Sequence, residues 1–255
     1  MARFNHPWQP APSDLELLSQ DIHIWRADLD LPAIKIEELR QTLSVDEQER
    51  ADRFRFEQPR NHFIAGRGFL RTILSCYLNL GPHQLRFSYH PRGKPELANL
   101  NAEEKLCFNL SHSNCLALYA VSRLNGQASQ GNNSLGIDLE YMRSMPDAEK
   151  LAERFFSTKE SQLISSLPVE QRQEAFFNGW TRKEAYLKAT GDGLVGLSKV
   201  EVSLVPGETA ALLSIEGDRE AASRWSLYQL MAAPDYVAAL AVEGHGWNLH
   251  YWVVG

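Results

Sequence analysis

The sequence predicts an α+β protein made of two similar halves in one chain, and three observations carry that prediction. An order of strand, then helices, then strands is read twice along the 255 residues. A polar, Gly/Asn-rich stretch, Asn125 to Ser134, falls almost at mid-chain and reads as the join. Each half's longest helical pattern also carries a Phe and a Gly three apart, in Phe63-Ile64-Ala65-Gly66-Arg67 and in Phe176-Phe177-Asn178-Gly179-Trp180. The halves are therefore set at 1–125 and 134–255, with 126–133 as linker. A pseudo-twofold pair of this kind places a ligand site at its junction.

The elements follow in order. The first twenty residues, with Pro7, Pro10 and Pro12, read as an extended lead-in. Residues 21–26 alternate as a strand. Ser44-Val45-Asp46-Glu47 has the form of an N-cap and an acidic first turn, opening a helix to about Arg53. A longer helix follows Pro59, with Phe63, Gly66, Leu70, Ile73, Leu74 and Tyr77 on its apolar side and Gly81-Pro82 beyond its end. Strands are expected at 85–89, 106–110 and 115–121. In the second half a strand at 134–140 precedes helices at 147–155, 158–166 and 169–188. Gly191-Asp192-Gly193 stops the last of them. Strands near 200–205, 225–230, 236–242 and 247–253 close the chain.

Composition bounds the function. Apolar residues make up 44% and charged residues 23%, the balance of a globular protein with a sizeable core. The net charge of -6 argues against nucleic acid as a partner. Charge is uneven, however: Arg50, Arg53, Arg55, Arg60, Arg67 and Arg71 face only Asp52 and Glu57 over residues 50–71, which suits a small anionic ligand. Cys76, Cys107 and Cys115 show no metal spacing and lie in apolar surroundings, so buried, reduced thiols are expected. No apolar leader and no run of 18 apolar residues is read, so a cytoplasmic location without a membrane partner is expected.

Two acidic motifs carry the chemistry. In Gly136-Ile137-Asp138-Leu139-Glu140, strand alternation turns Asp138 and Glu140 to one face. In Trp180-Thr181-Arg182-Lys183-Glu184-Ala185-Tyr186-Leu187-Lys188, Glu184 and Lys188 lie one helical turn apart. Three carboxylates from a strand and a helix suit Mg²⁺, and the neighbouring Lys and Arg suit phosphate. Spacing alone leaves another reading open. Glu184 and Lys188 could form a solvated pair worth about 0.3–0.5 kcal/mol, with the two strand acids on the wet face of an edge strand. Two further segments add to the first reading. Gly93-Lys94-Pro95 sets a cation on a turn, and Phe108-Asn109-Leu110-Ser111-His112-Ser113 ends a strand in hydroxyls and an imidazole.

In this order and at these intervals, the four segments resemble the motifs of 4′-phosphopantetheinyl transferases of the two-halved, surfactin-synthetase-activating type. The pattern is most similar to cyanobacterial members associated with heterocyst glycolipid synthesis. The resemblance covers about residues 44–205. It implies an active site between the halves and transfer of the phosphopantetheine arm from coenzyme A to a serine of an acyl or peptidyl carrier protein, releasing adenosine 3′,5′-bisphosphate. It also implies Mg²⁺, or Mn²⁺, on Asp138, Glu140 and Glu184. Lys188 and His112 would contact coenzyme A phosphates, with Asp138 and Ser111 beside them. Arg50 and the turn of Gly93, Lys94 and Pro95 would hold the nucleotide end. Some relatives carry a second cation where this chain has Glu47. Glu184, or a metal-bound water, would take the serine proton, and Lys188 would steady the transferring group. Trp180 is expected to pack the helix. A monomer is expected, as is a carrier-docking surface beside the Phe155-Phe156 helix and the loop before Ser134. Other classes share parts of the pattern: a metal-dependent nuclease, which would need a basic track, and a docking module, which would need no carboxylate triad.

Overall fold

The computed structural model describes residues 8–89, 93–98, 106–123 and 134–254. The expected linker at 126–133 lies outside them. The chain runs β1 (Gln9–Pro10), β2 (Asp21–Asp28), α1 (Ala33–Arg40), α2 (Val45–Asp52), α3 (Glu57–Ser75), β3 (Phe87–Tyr89), β4 (Pro95–Leu97), β5 (Cys107–Ser113) and β6 (Leu116–Ser122). It continues with β7 (Leu135–Tyr141), α4 (Ala148–Phe155), α5 (Thr158–Ser166), α6 (Val169–Thr190), β8 (Val200–Val202), β9 (Leu212–Ile215), α7 (Arg219–Ser223), β10 (Trp225–Leu230), β11 (Tyr236–Glu243) and β12 (Asn248–Val253). The α+β class and the two-halved organisation are as expected. Among the described residues, no helix is long and apolar enough to cross a membrane.

The described residues group into two compact units. One takes those of 8–108, 112–123 and 248–254; the other takes 109–111 and 134–247. The last strand, expected with the C-terminal half, is thus part of the N-terminal sheet. That sheet has the order β1-β12-β2-β6-β5. β12 runs parallel to β2, with Tyr251 opposite Ile24, and this pairing buries Tyr251 and Trp252. Trp8 meets Tyr251 edge-on at 5.3 Å.

In the N-terminal unit, α3 starts two residues before Pro59, because a proline in the first helical turn removes no internal hydrogen bond. It buries Ile64, Ala65, Phe69, Leu70, Ile73 and Leu74. The Tyr119 hydroxyl donates to the Gly66 carbonyl at 2.9 Å, tying β6 to the helix. Beside β12, His23 is buried, and its ring is held as neutral imidazole: burial pushes the imidazolium down to about 4, with His250 adding and Asp21 opposing.

Two arginines of the arginine-rich stretch, Arg67 and Arg71, serve the fold. Glu47 is 3% exposed and accepts Arg67 Nε and Nη2 at 2.9 and 2.6 Å on one oxygen and Arg71 Nε at 2.6 Å on the other. Arg71 also donates to the carbonyls of Pro82 and Leu85, each at 2.9 Å. This knot clips α2 to α3 and to the turn that follows. The acid at position 47 thus has a structural use, and Arg67 and Arg71 are engaged with it. Of the three thiols, all free, Cys107 is buried, Cys115 is half-buried and Cys76 is exposed. Cys76 departs from expectation because it sits in the C-cap position of α3, where the apolar face has ended.

In the C-terminal unit, the sheet order is β10-β11-β7, antiparallel throughout, with Ala239 opposite Asp138. α6 covers β7. It ends at Gly191, which takes a left-handed φ of 81° and donates its N–H to Leu187 O at 2.8 Å. A β-carbon on Gly136 would come 2.1 Å from Ala185 O and 2.4 Å from Ala189 N, so strand and helix backbones touch there.

Two predictions follow from this packing. Gly136→Ala destabilises the protein by about 3 kcal/mol or more, since backbone on the facing side cannot yield. Gly66→Ala meets only Tyr119 Oη, at 4.0 Å, and stabilises by about 0.5–1 kcal/mol through helix propensity. Urea melts of both variants check the pair, and equal effects would refute the account. The second prediction concerns Glu47. Burial alone would raise its carboxyl, yet the Arg71 and Arg67 guanidinium groups lower it below the ordinary 4.5. Its stabilisation is therefore full above pH 4.5 and is lost as pH falls through the depressed value. Glu47→Gln costs about 3–5 kcal/mol at pH 7, and its gap from the parent narrows on acidification below that point. Denaturant midpoints measured from pH 7 to pH 3 test this; a constant gap would contradict it.

Candidate active site

The site of the C-terminal unit is set by register between β7 and α6. Gly136 rests on Ala185 and Ala189, so Asp138, two residues further along the strand, reaches the helix rim carrying Glu184 and Lys188. Lys188 Nζ donates to Asp138 Oδ1 at 2.7 Å and to Ser111 Oγ at 2.9 Å. Ser111 Oγ in turn donates to Asp138 Oδ1 at 3.0 Å. The Ile137 N–H donates to Asn109 Oδ1 at 3.0 Å, so the mid-β5 residues 109–111 are tied to β7. The tie through Asn109 went unread in the sequence. Its signal is the spacing Asn109, Ser111, two polar residues on one face of a strand.

Asp138 is 3% exposed. It lies on an edge strand, yet α6 covers its face, so the wet-face reading does not apply to it. Its second oxygen, Oδ2, is buried and accepts no hydrogen bond, and the same is true of Glu184 Oε1. Two buried carboxylate oxygens without donors are costly unless a cation answers them. Glu184 shows the strain: burial first, then Asp138, push its carboxyl up to about 7, with Lys188 opposing and Glu140 adding. Glu140 follows Asp138 on the same strand, half-buried. Among the described residues, no one oxygen from each of the three acids comes within 4.8 Å of the other two, and Lys188 holds Asp138 meanwhile. The donor set is hard oxygen throughout and fits Mg²⁺ or Mn²⁺.

The two other cations of the same helix motif lie elsewhere. Arg182 is buried and donates to Ser203 O at 2.7 Å. Lys183 is 0% exposed and donates to Glu160 Oε2 at 2.6 Å, to Leu197 O at 2.8 Å and to Val200 O. Both brace α6 against the segments behind it, so neither is available to phosphate. Trp180 packs as expected, against Phe155 and Phe176 at 5.8 Å each. Phe156 stacks on Phe176 inside the core. Phe155 stays half-buried under Arg154, whose guanidinium lies 5.0 Å from the ring. The loop before Ser134 lies outside the described residues.

The remaining candidates belong to the N-terminal unit. Gly93 takes φ 86°, a conformation that suits a residue without a β-carbon, and it precedes Lys94 and then Pro95, the first residue of β4. Lys94 is half-buried, and burial lowers its ammonium, with Cys107 and Glu96 opposing. His112 is exposed near the end of β5. Arg50 is exposed on α2, with its guanidinium 5.0 Å from the Phe63 ring.

Buried carboxylate oxygens beside a lysine, on a two-unit α+β chain, have the character of a phosphotransferase site. Comparison with known proteins agrees. The model of the 4′-phosphopantetheinyl transferase superfamily matches residues 134–241, and that of the N-terminal part of 4′-phosphopantetheinyl transferases matches residues 33–123. The 4′-phosphopantetheinyl transferase HetI of Nostoc sp. is 48% identical over 97% of this chain and 98% of its own length. A Synechocystis sp. protein is 33% identical over 90% of this chain and 84% of its own. The 4′-phosphopantetheinyl transferase psf-1 of Bacillus pumilus is 32% identical over 70% of this chain and 71% of its own. The chain belongs to the 4′-phosphopantetheinyl transferases, enzymes that move the phosphopantetheine group of coenzyme A to carrier proteins.

Replacing Lys183 distinguishes brace from catalyst. Lys183→Met strands Glu160 in the interior and costs about 3–5 kcal/mol of stability. The folded fraction keeps its kcat. A kcat that collapses while the denaturation midpoint stays put would reassign Lys183 to chemistry.

Proposed function

We propose that this transferase works with Mg²⁺, or Mn²⁺, on Asp138, Glu140 and Glu184, and passes the phosphopantetheine arm to a serine of an acyl or peptidyl carrier. The observation that carries this reading is the pair of buried oxygens without donors, Asp138 Oδ2 and Glu184 Oε1, beside Lys188. A bound cation supplies charge neutralisation for a pyrophosphate. The chain's own residues do the rest. The serine oxygen bonds to the β-phosphorus of coenzyme A, and the bond to the departing adenosine 3′,5′-bisphosphate breaks. Glu184, within the carboxylate group beside Lys188, accepts the serine proton. Lys188 is 30% exposed on a flexible stem, so it can release Asp138 and turn to a phosphoryl oxygen. Ser111 keeps Asp138 oriented while it does so.

Remote groups hold the nucleotide end in this reading. Lys94, on the turn of Gly93 and Pro95, joins Arg50 and His112 as cationic or polar contacts for coenzyme A phosphates. Arg50 carries that role without a second cation at position 47, since Glu47 is enclosed by Arg67 and Arg71. One chain provides every residue named, so a monomer suffices. Its setting is the cytoplasm, with neither nucleic acid nor membrane as partner.

The test is direct. Incubation with coenzyme A, Mg²⁺ and an apo carrier protein adds the phosphopantetheine mass to the carrier, and a chelator prevents it. Asp138→Ala lowers the rate by about 10²-fold or more while the fold persists. Arg50→Ala, Lys94→Ala and His112→Ala raise the Kd for coenzyme A more than they lower kcat, because they touch a non-reacting part of the substrate. Full transfer by Asp138→Ala, or transfer indifferent to chelation, would defeat the metal assignment. Equal binding of coenzyme A and its 3′-dephospho form would defeat the assignment of the nucleotide contacts.

A further inference from the structure

A second group of metal-competent side chains lies in the N-terminal unit, and the reaction makes no use of it. Asp21 and His23 stand two apart on β2, so they share one face of the sheet. His250 lies on the neighbouring strand β12, directly opposite His23 in the parallel register. One donor atom from each of the three comes within 4.8 Å of the other two, which singles out this set among the described residues. Asp21 and His23 are 5% and 2% exposed.

The surroundings suit a ligand sphere. Asp21 is fixed as a carboxylate by Leu18 N–H on Oδ2 at 3.2 Å and by Asn248 Nδ2 on Oδ1 at 3.1 Å. His23 Nδ1 is 2.9 Å from Tyr77 Oη, which also accepts Trp25 Nε1–H at 2.7 Å. Coordination through His23 Nε2 keeps that contact, with Nδ1–H donating to the tyrosine oxygen, as an outer partner of a ligating imidazole does. His250 Nε2 is a buried ring nitrogen with no hydrogen-bond partner, 3.4 Å from Asp21 Oδ1. Two donors each about 2.0–2.1 Å from a tetrahedral Zn²⁺ stand about 3.3–3.4 Å apart, so this separation already matches a shared ion. The Trp252 ring, stacked on His250 at 6.1 Å and 5.7 Å from His23, closes one side with apolar surface. The His250 side chain is 40% exposed and leaves a path from solvent.

We propose that Asp21, His23 and His250 form a site for a borderline divalent cation of the Zn²⁺ class, which staples strand β12 to β2. Two imidazoles and one carboxylate, with a fourth position for water, select Zn²⁺ or Co²⁺ over Mg²⁺, which prefers all-oxygen ligands. The ion's role is structural. It joins residues near the two ends of the chain and holds the parallel pairing on which the sheet's edge depends.

Co²⁺ serves as the visible probe. The full-length protein is stripped with chelator, loaded with excess Mg²⁺, and titrated with Co²⁺. One equivalent should produce the intense d–d absorption of a four-coordinate centre, and Zn²⁺ should bleach it. His23→Gln and His250→Gln should each abolish the band, whereas Asp138→Asn, in the other unit, should leave it. Zn²⁺ at a hundredfold excess over its Kd should raise the parent's Tm by about 5–10 °C and leave that of His250→Gln unmoved. If buried His23→Gln fails to fold, the half-exposed His250→Gln decides, with its far-UV circular dichroism as the control. A missing band would overturn the proposal. So would a band that survives His250→Gln, because the three side chains would then be no more than an ion pair beside an imidazole.

Discussion

The contact between Gly136 and the backbone of α6 is the constraint from which the C-terminal unit follows. A strand lying over a helix is ordinarily held off by two layers of side chains. Here Gly136 has none, and the residues beneath it are Ala185 and Ala189. Two strand residues advance about 6.6 Å, and four helical residues advance about 6 Å. Once Gly136 is seated, the next outward step on the strand therefore keeps pace with the next turn of the helix. Asp138 arrives opposite Glu184 and Lys188, each of which immediately precedes one of the two alanines. The geometry of the candidate site is a consequence of close packing, since no loop has to be ordered to bring these side chains together.

The same helix sorts its charges by azimuth. Successive residues turn by about 100°, so Arg182 and Lys183 face away from the rim that carries Glu184 and Lys188. Burial of those two cations is tolerable because each is met by acceptors: Ser203 O and Oγ and Gln229 Oε1 for the guanidinium, and Glu160 with two carbonyls for the ammonium. Glu160 is itself anchored by the N–H groups of Ser157 and Val202, at 3.0 and 2.9 Å. Glu47 is the counterpart in the other unit, an acid enclosed by two arginines. Each buried charge is met by a partner on a different element, so these networks fix which elements pack together.

What the sequence made legible was whatever local period or turn chemistry determines. α3 and α6 were readable from their apolar spacing and from Gly81-Pro82 and Gly191. β7 was readable as an apolar strand whose alternate residues are acids. The face shared by Glu184 and Lys188 followed from helical spacing alone. Non-local pairing was not legible. Nothing in Asn248–Val253 says that it joins β2, some 225 residues earlier in the chain, in place of the strands that precede it. α1 escaped because Ala33–Arg40 buries only Ile36 and Leu39, too few for a clear stripe. The partition of the motif's cations also escaped, since a linear reading credits Arg182 and Lys183 to phosphate as readily as Lys188. Residue type suggests a chemistry, and only the direction of the side chain says whether it is used.

The charge balance of the site explains why its lysine lies where it does. Asp138 and Glu140 are carboxylates near Glu184, whose carboxyl is raised to about 7 by burial and by those same neighbours. Lys188 offsets one of these charges and no more. The chain's own groups therefore leave the site negative, a poor environment for a pyrophosphate. In the proposed reading, substrate phosphates and a divalent cation would each lower the cost of bringing in the other. Lys188 then has two alternative positions on electrostatic grounds. Without a cation it is the only counter-charge among the described residues within hydrogen-bond reach of Asp138, and in the proposed reading a bound cation would release it toward a phosphate oxygen. The short Lys188–Asp138 bond belongs to the first of these states. Its partial exposure lets it exchange, whereas the fully buried Lys183–Glu160 pair on the same helix is fixed.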